Sequence, residues 1–220
     1  VPGGALDETA QTAGRAALAQ LVQAKGAGDR DAEAIHGELE SAGASISPHV
    51  DRDFSGLTLT ALADRLEQPL QSLGDLVCRP SFPDHEVERE RRLAIEQLNA
   101  LSDSPFQWAA VKLREAMYGD HPYGRPLAGT YQSLPSLARQ DLAAWHRRRW
   151  TRPNLKATIS GDFDPDELLP RLSEILADLP PEPTPVPEGD GGAIAAPDAV
   201  GRHRLTRNQH QSVVLVAWPG

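Results

Sequence analysis

The chain has 220 residues, of which 40% are hydrophobic and 24% charged, the balance of a folded globular protein rather than a disordered one. A formal net charge of −9 argues against nucleic acid as the main partner, because phosphate recognition needs a basic surface. No apolar run is long enough to span a bilayer, no signal peptide is visible, and one cysteine, Cys78, rules out an internal disulfide or a multi-cysteine zinc site.

In chain order, Ala16 to Lys25 reads as a helix with Gly26 as its C-cap. Asp31 to Ala42 reads as a second helix, with Ala32, Ile35 and Leu39 at helical spacing and Gly37 interrupting them. ASISPHVD and FSGLTLTAL then read as two strands joined by a turn at Asp51 to Asp53, because Leu57 and Leu59 alternate with Thr58 and Thr60. A helix is expected from Leu66 to Val77, with Pro69 in its first turn. Cys78, among Leu73, Leu76 and Val77, reads as a buried, inert thiol.

The segment PSFPDHEVERERRLAIEQLNAL predicts a long helix with Asp84 and Glu86 at its positive pole. SPFQWAAVKLREAMYG predicts another, capped by Ser104 with Pro105 at the first helical position. HPYGRPLAGT reads as a loop, and Ser136 as the opening of the helix LARQDLAAWHRRRW. NLKATISGDF reads as a buried strand, and DPDELLPRLSEILADL as a helix capped by Asp164 with Glu167 at the capping-box position. PPEPTPVPEGDGG is a linker by composition, and HQSVVLVAWPG a β-prone run. The organisation is α/β or α+β: residues 1–179 as one domain, 180–210 as a Pro/Gly-rich linker, and 211–220 as the first strand of a following domain.

On motifs alone the chain offers no catalytic set. Its seven histidines, His36, His49, His85, His121, His146, His203 and His210, include no pair three or four apart, so no helix presents a two-histidine metal face. His85 and Glu88 share a face, but a solvated helix start explains them. Asp162, Asp164 and Asp166 lack the glycine and late glutamate of a calcium loop, and capping accounts for them. Glu88, Glu90 and Glu96, interleaved with Arg89, Arg91 and Arg92, read as a charged outer face rather than an acid/base pair. His146 to Arg149 reads as a helix-end charge cluster rather than an anion site. A Ser/His/Asp triad is defined by geometry and stays open, although no serine sits in a G-x-S-x-G elbow.

The stretch from ERERRLAIEQL through DSPFQWAAVKLREAMYGDHPYGRPLAGTYQSLPSLARQDLAAWHRRRWTRPNLKATISGDFDPDEL resembles the insulinase/pitrilysin family of zinc peptidases, which includes the mitochondrial processing peptidases. GGALDE, ELESAGASIS and VCRPSF continue the resemblance upstream, so that it covers about residues 3–179. The resemblance implies a two-layer sandwich with a largely antiparallel sheet covered by helices.

Active members carry an inverted zinc motif, H-x-x-E-H, on the helix that GRAALAQLVQAKG resembles. Carried over, the two histidine slots fall at Ala17 and Leu21 and the general-base slot at Gln20. The third ligand, a glutamate, falls at Gln97, 76 residues after Leu21, with Glu96 as the alternative. Alanine and leucine cannot coordinate a metal, and a glutamine carries no carboxylate to take a proton from water. Leu18, Leu21 and Val22 are expected to form an apolar stripe on this helix.

The resemblance therefore implies a catalytically inactive peptidase-like domain with no metal or cofactor of its own. Zinc is expected in a homologous active half, on the same chain or on a separate subunit. The two halves would enclose a chamber holding a peptide or unfolded protein, with no nucleic acid and no membrane span involved. Two alternatives remain at this stage: a free-standing non-catalytic scaffold subunit, and a peptidase with an unrecognised site.

Overall fold

The computed structural model describes residues 1–182, 201–207 and 211–218. Among them run seven α-helices and two small antiparallel sheets: α1 (Arg15–Gln23), β1 (Gly26–Ala27), β2 (Arg30–Asp31), α2 (Ala32–Ser41), β3 (Ser45–Val50), β4 (Ser55–Thr60), α3 (Glu67–Cys78), α4 (Asp84–Asp103), α5 (Pro105–Tyr118), α6 (Arg139–Arg149) and α7 (Pro165–Ile175).

Local chemistry sets most of the boundaries. Asp31 caps α2 by accepting the Ala34 N–H at 2.9 Å, and Ser104 caps α5 through Gln107 N–H. Asp164 caps α7 through the N–H of Asp166 at 2.8 Å, rather than through a box with Glu167. Helix α6 begins three residues later than Ser136, which instead closes a 3-10 turn at Leu134–Ser136. Asp141 accepts the Ala138 N–H at 2.8 Å and fixes that start from inside the helix. Gly26 is not a C-cap: α1 ends at Gln23, and Gly26 pairs with Asp31 in the β1–β2 ribbon.

The β3–β4 hairpin runs in the register Ser45↔Thr60 to Val50↔Ser55. Ile46, Pro48, Val50, Leu57 and Leu59 are half-buried towards the helices, while Ser45, Ser47, His49, Thr58 and Thr60 are exposed on the open face. Val1 and Gly3 continue the outer side of β4, with Ser55 N–H bonded to Val1 O at 3.1 Å and Gly3 N–H to Asp53 O at 2.8 Å.

Two expected strands are not formed. Residues 156–162 carry no sheet pairing and are almost wholly exposed. Residues 211–218 are likewise unpaired, with Val214, Val216 and Trp218 exposed. β-propensity is realised only against a partner edge, and neither segment meets one among the described residues. Most of the expected linker at 180–210 lies outside the described residues.

Helix α1 is the centre of the core. It packs against α4, α6 and β3, and Leu18 and Val22 sit in one apolar cluster with Leu98, Leu134, Leu142, Trp145 and Trp150. Ile35, Leu39 and Leu76 form a smaller cluster beneath α2 and α3. Gly14 opens α1 at φ 87°, where its backbone crosses that of Ala128 and Gly129. A Cβ there would lie 2.6 Å from Ala128 O, in a conformation L-residues rarely adopt. Gly14→Ala is therefore expected to lower the unfolding free energy by more than about 2 kcal/mol in chemical denaturation, whereas Gly37→Ala, with open space around it, should be neutral or slightly stabilising.

Candidate functional site

Three of the slots that the resemblance assigns lie on α1, seven of whose nine residues are buried. The first slot, Ala17, is 8% exposed and carries only a methyl group. The general-base slot, Gln20, is fully buried, and its Nε2 donates to Gly56 O of β4 at 2.9 Å. Its Oε1 is enclosed without a protein hydrogen-bond partner, so the position uses the donor that an amide has and a carboxylate lacks. Gln23, one turn on, repeats the arrangement towards α3, donating Nε2 to Leu76 O at 3.1 Å.

The remaining slots lie outside this packing. Leu21 is 36% exposed, so it does not belong to the buried stripe of Leu18 and Val22. Gln97 and the alternative Glu96 both sit on the exposed side of α4, whose buried side is Glu86, Val87, Glu90, Ala94 and Leu98. The slots are thus half closed by packing and half open to solvent. Their donor set does not fit zinc: two hydrocarbon side chains and a neutral amide offer no thiolate, imidazole or carboxylate. Among the described residues, no three His, Cys, Asp or Glu side chains converge into a group that could hold a metal ion.

The residue that organises the site is Glu8, which lies in the GGALDE segment. Glycine at the N-cap of α1 has no side chain to satisfy the first-turn amides, and Glu8 supplies both acceptors from six residues upstream. Gly14 N–H reaches Oε2 at 2.8 Å and Ala16 N–H reaches Oε1 at 2.6 Å. Burial pushes the carboxyl up to about 7, against the lowering by those two amides and by Arg15 and Arg125. A sequence signal existed: an acidic residue shortly before a helix that opens without a side-chain cap.

The other candidates resolve into structure. His85 is exposed, and Glu88 pairs with Arg91 rather than with a metal partner. Glu90 is not part of an outer charged face; it is buried, with Lys25 Nζ 3.9 Å away. The cluster at the end of α6 is only half on the surface. Arg147 and Arg148 are exposed, but Arg149 is buried against Asp7 at 2.5 Å. His146 is a core residue whose Nε2 lies 3.0 Å from Val77 O, and burial drives its pKa down to about 4. Cys78 is half-buried with its thiol held at Ile175 O, and burial pushes it up to about 11, away from nucleophilic use.

Comparison with known proteins places these features in a lineage. Residues 1–131 match the family model described as insulinase (peptidase family M16), and residues 136–220 match the one described as the peptidase M16 inactive domain. An uncharacterized zinc protease of Mycobacterium leprae is 27% identical over 171 residues, covering 78% of this chain and 38% of that protein. The probable mitochondrial-processing peptidase subunit beta of Schizosaccharomyces pombe is 23% identical over 181 residues, covering 82% of this chain and 40% of that protein. This chain thus spans about two fifths of the length of these relatives. Among solved structures, the peptidase M16 inactive domain from Pseudomonas fluorescens superposes with a TM-score of 0.75 at 23% identity, covering 83% of this chain and 46% of that one. Pitrilysin superposes with a TM-score of 0.72 at 20% identity, covering 90% of this chain and 21% of that one. These two likenesses are of fold.

Two measurements follow from the geometry. The folded-state value of Glu8, about 7, lies above its ordinary 4.5, so folding takes up a proton between those pH values and stability rises as pH falls from 7 to 4.5. His146, at about 4 against an ordinary 6.5, works in the opposite sense, and stability falls as pH drops from 6.5 to 4. The wild-type chain should therefore show a shallow pH profile, while Glu8→Gln should lose stability steeply on acidification, read as the slope of the denaturation midpoint against pH. Gln20→Glu should cost roughly 2–4 kcal/mol at pH 8, because a buried carboxylate would face Gly56 O, and less at pH 5, where the protonated acid can donate.

Proposed function

The chain belongs to the insulinase family of peptidases, family M16, and on that premise we propose that it is a catalytically inactive domain forming one wall of a peptide-holding chamber beside a homologous active half. The observation that carries the reading is Gln20. In the slot where an active member needs a general base, a fully buried amide ties α1 to β4. An amide does not accept a proton from water, and it is already committed to Gly56.

The neighbouring slots support the same conclusion. Ala17 and Leu21 cannot ligate zinc, and Gln97 offers no carboxylate. Zinc belongs, on this reading, to the active half, on the same chain or on another subunit, and the substrate is a peptide or unfolded protein. The zinc protease relatives are consistent with that division of labour; the inactive-domain match covers residues 136–220, while the α1 slots lie within the insulinase match at 1–131. This reading takes residues 1–179 as the domain, across the point between 131 and 136 where the two family matches meet.

The test is direct. The purified chain is dialysed against dilute zinc, its metal content is read by elemental analysis, and cleavage of an unfolded protein is followed in parallel. Zinc well below one per chain and no cleavage are expected. One tightly held zinc per chain, with cleavage abolished by a chelator, overturns the reading.

A further inference from the structure

The β3–β4 hairpin has two outer edges: among the described residues neither carries a third strand, and only the β4 side is met, at its first residues, by the N-terminus. Along β4, the outward-facing backbone begins at Ser55, which Val1 already pairs. Along β3, the described residues provide no partner strand. The ladder fixes which groups point outward there. The Asp51 N–H bonds Phe54 O at 2.8 Å, so the alternation turns His49, Ser47 and Ser45 towards β4 and leaves Val50, Pro48 and Ile46 facing away.

Pro48 is the middle of those three outward positions. An antiparallel strand arriving at β3 would exchange two hydrogen bonds with each of them. Proline has no N–H to give, and its ring occupies the space the incoming carbonyl needs. The amides of Ile46 and Val50 are left as isolated donors on either side of the gap. Meanwhile the exposed side chains of the strand, Ser45, Ser47 and His49, are polar and offer an incoming strand little apolar surface.

We infer that Pro48 closes the outer edge of β3 to strand addition, so that neither an extended peptide nor the same edge of a second copy pairs there. An exposed edge is ordinarily a template for another chain, and a proline at its outward centre is an effective block. For the proposed chamber, which this consequence alone depends on, it means that any peptide held against this wall is held by side-chain contacts and not by a ladder on β3. The geometric claim is independent of zinc, so it stands or falls separately from the inactivity of α1.

The test uses the whole chain, Pro48→Ala and Pro48→Thr, with a fluorescein-labelled decapeptide of alternating Thr and Val as probe and fluorescence anisotropy as readout. Both variants are expected to bind the probe about tenfold or more tightly than wild type, since a hydrogen bond is gained and an overlap removed. A counterpart probe N-methylated at alternate residues should show no gain, and sedimentation velocity should show any new self-association only in the variants. Equal affinity in all three proteins, or binding by none of them with far-UV circular dichroism unchanged, overturns the inference. So does a gain that survives N-methylation, because it would not come from a ladder.

Discussion

The hydrogen bonds from Gly14 and Ala16 to the carboxylate of Glu8 are the contact on which the rest of the arrangement depends. Helix α1 lies in the middle of the molecule, and its N-terminus arrives where there is no water to satisfy the first-turn amides. It cannot cap itself, because the crossing with Ala128 and Gly129 demands glycine at its N-cap. The acceptors must therefore be imported, and a bidentate carboxylate provides two at once. Burying that carboxylate is costly, which is why its proton affinity rises even with both oxygens engaged.

Once α1 is fixed in this way, its side chains have little freedom in what they face. Leu18 and Val22 enter the apolar cluster, while Gln20 and Gln23 meet the carbonyls of Gly56 and Leu76. A carbonyl at hydrogen-bond distance asks for a donor. Glutamine meets that demand, and an ionised glutamate would oppose it. The two glutamines of α1 are therefore accounted for by packing against β4 and α3.

How much of this was legible in the sequence depends on how local the signal was. Ser104, Pro105 and Asp164 name their helices because a cap and its amides lie within three residues of each other. The hairpin was legible for a similar reason, since alternation and turn lie in one short segment. Residues 156–162 and 211–218 misled because strand formation is a property of a pair of segments, and β-branched composition says nothing about whether a partner edge is at hand. Buried charges were misread for the same kind of reason. Glu90, His146 and Arg149 sit in runs that look solvated, and only the packing of α4 and α6 shows which of them turn inward.

The slots of the inverted motif separate what a sequence can carry over from what it cannot. That Ala17 and Leu21 lack donor atoms is readable from the letters alone. That the slots divide into a closed pair and an open pair is not, because it follows from where α1 meets β4 and where α4 turns its outer face. Gln20 is enclosed and bonded, whereas Leu21 and Gln97 remain accessible. Restoring ligands at the open positions would change little in the core, but restoring the acid at Gln20 would set a carboxylate against Gly56 O. At Gln20 the obstacle to an acid is one of hydrogen-bond polarity more than of space, whereas at Ala17, buried with only a methyl group, the obstacle to a larger side chain is space.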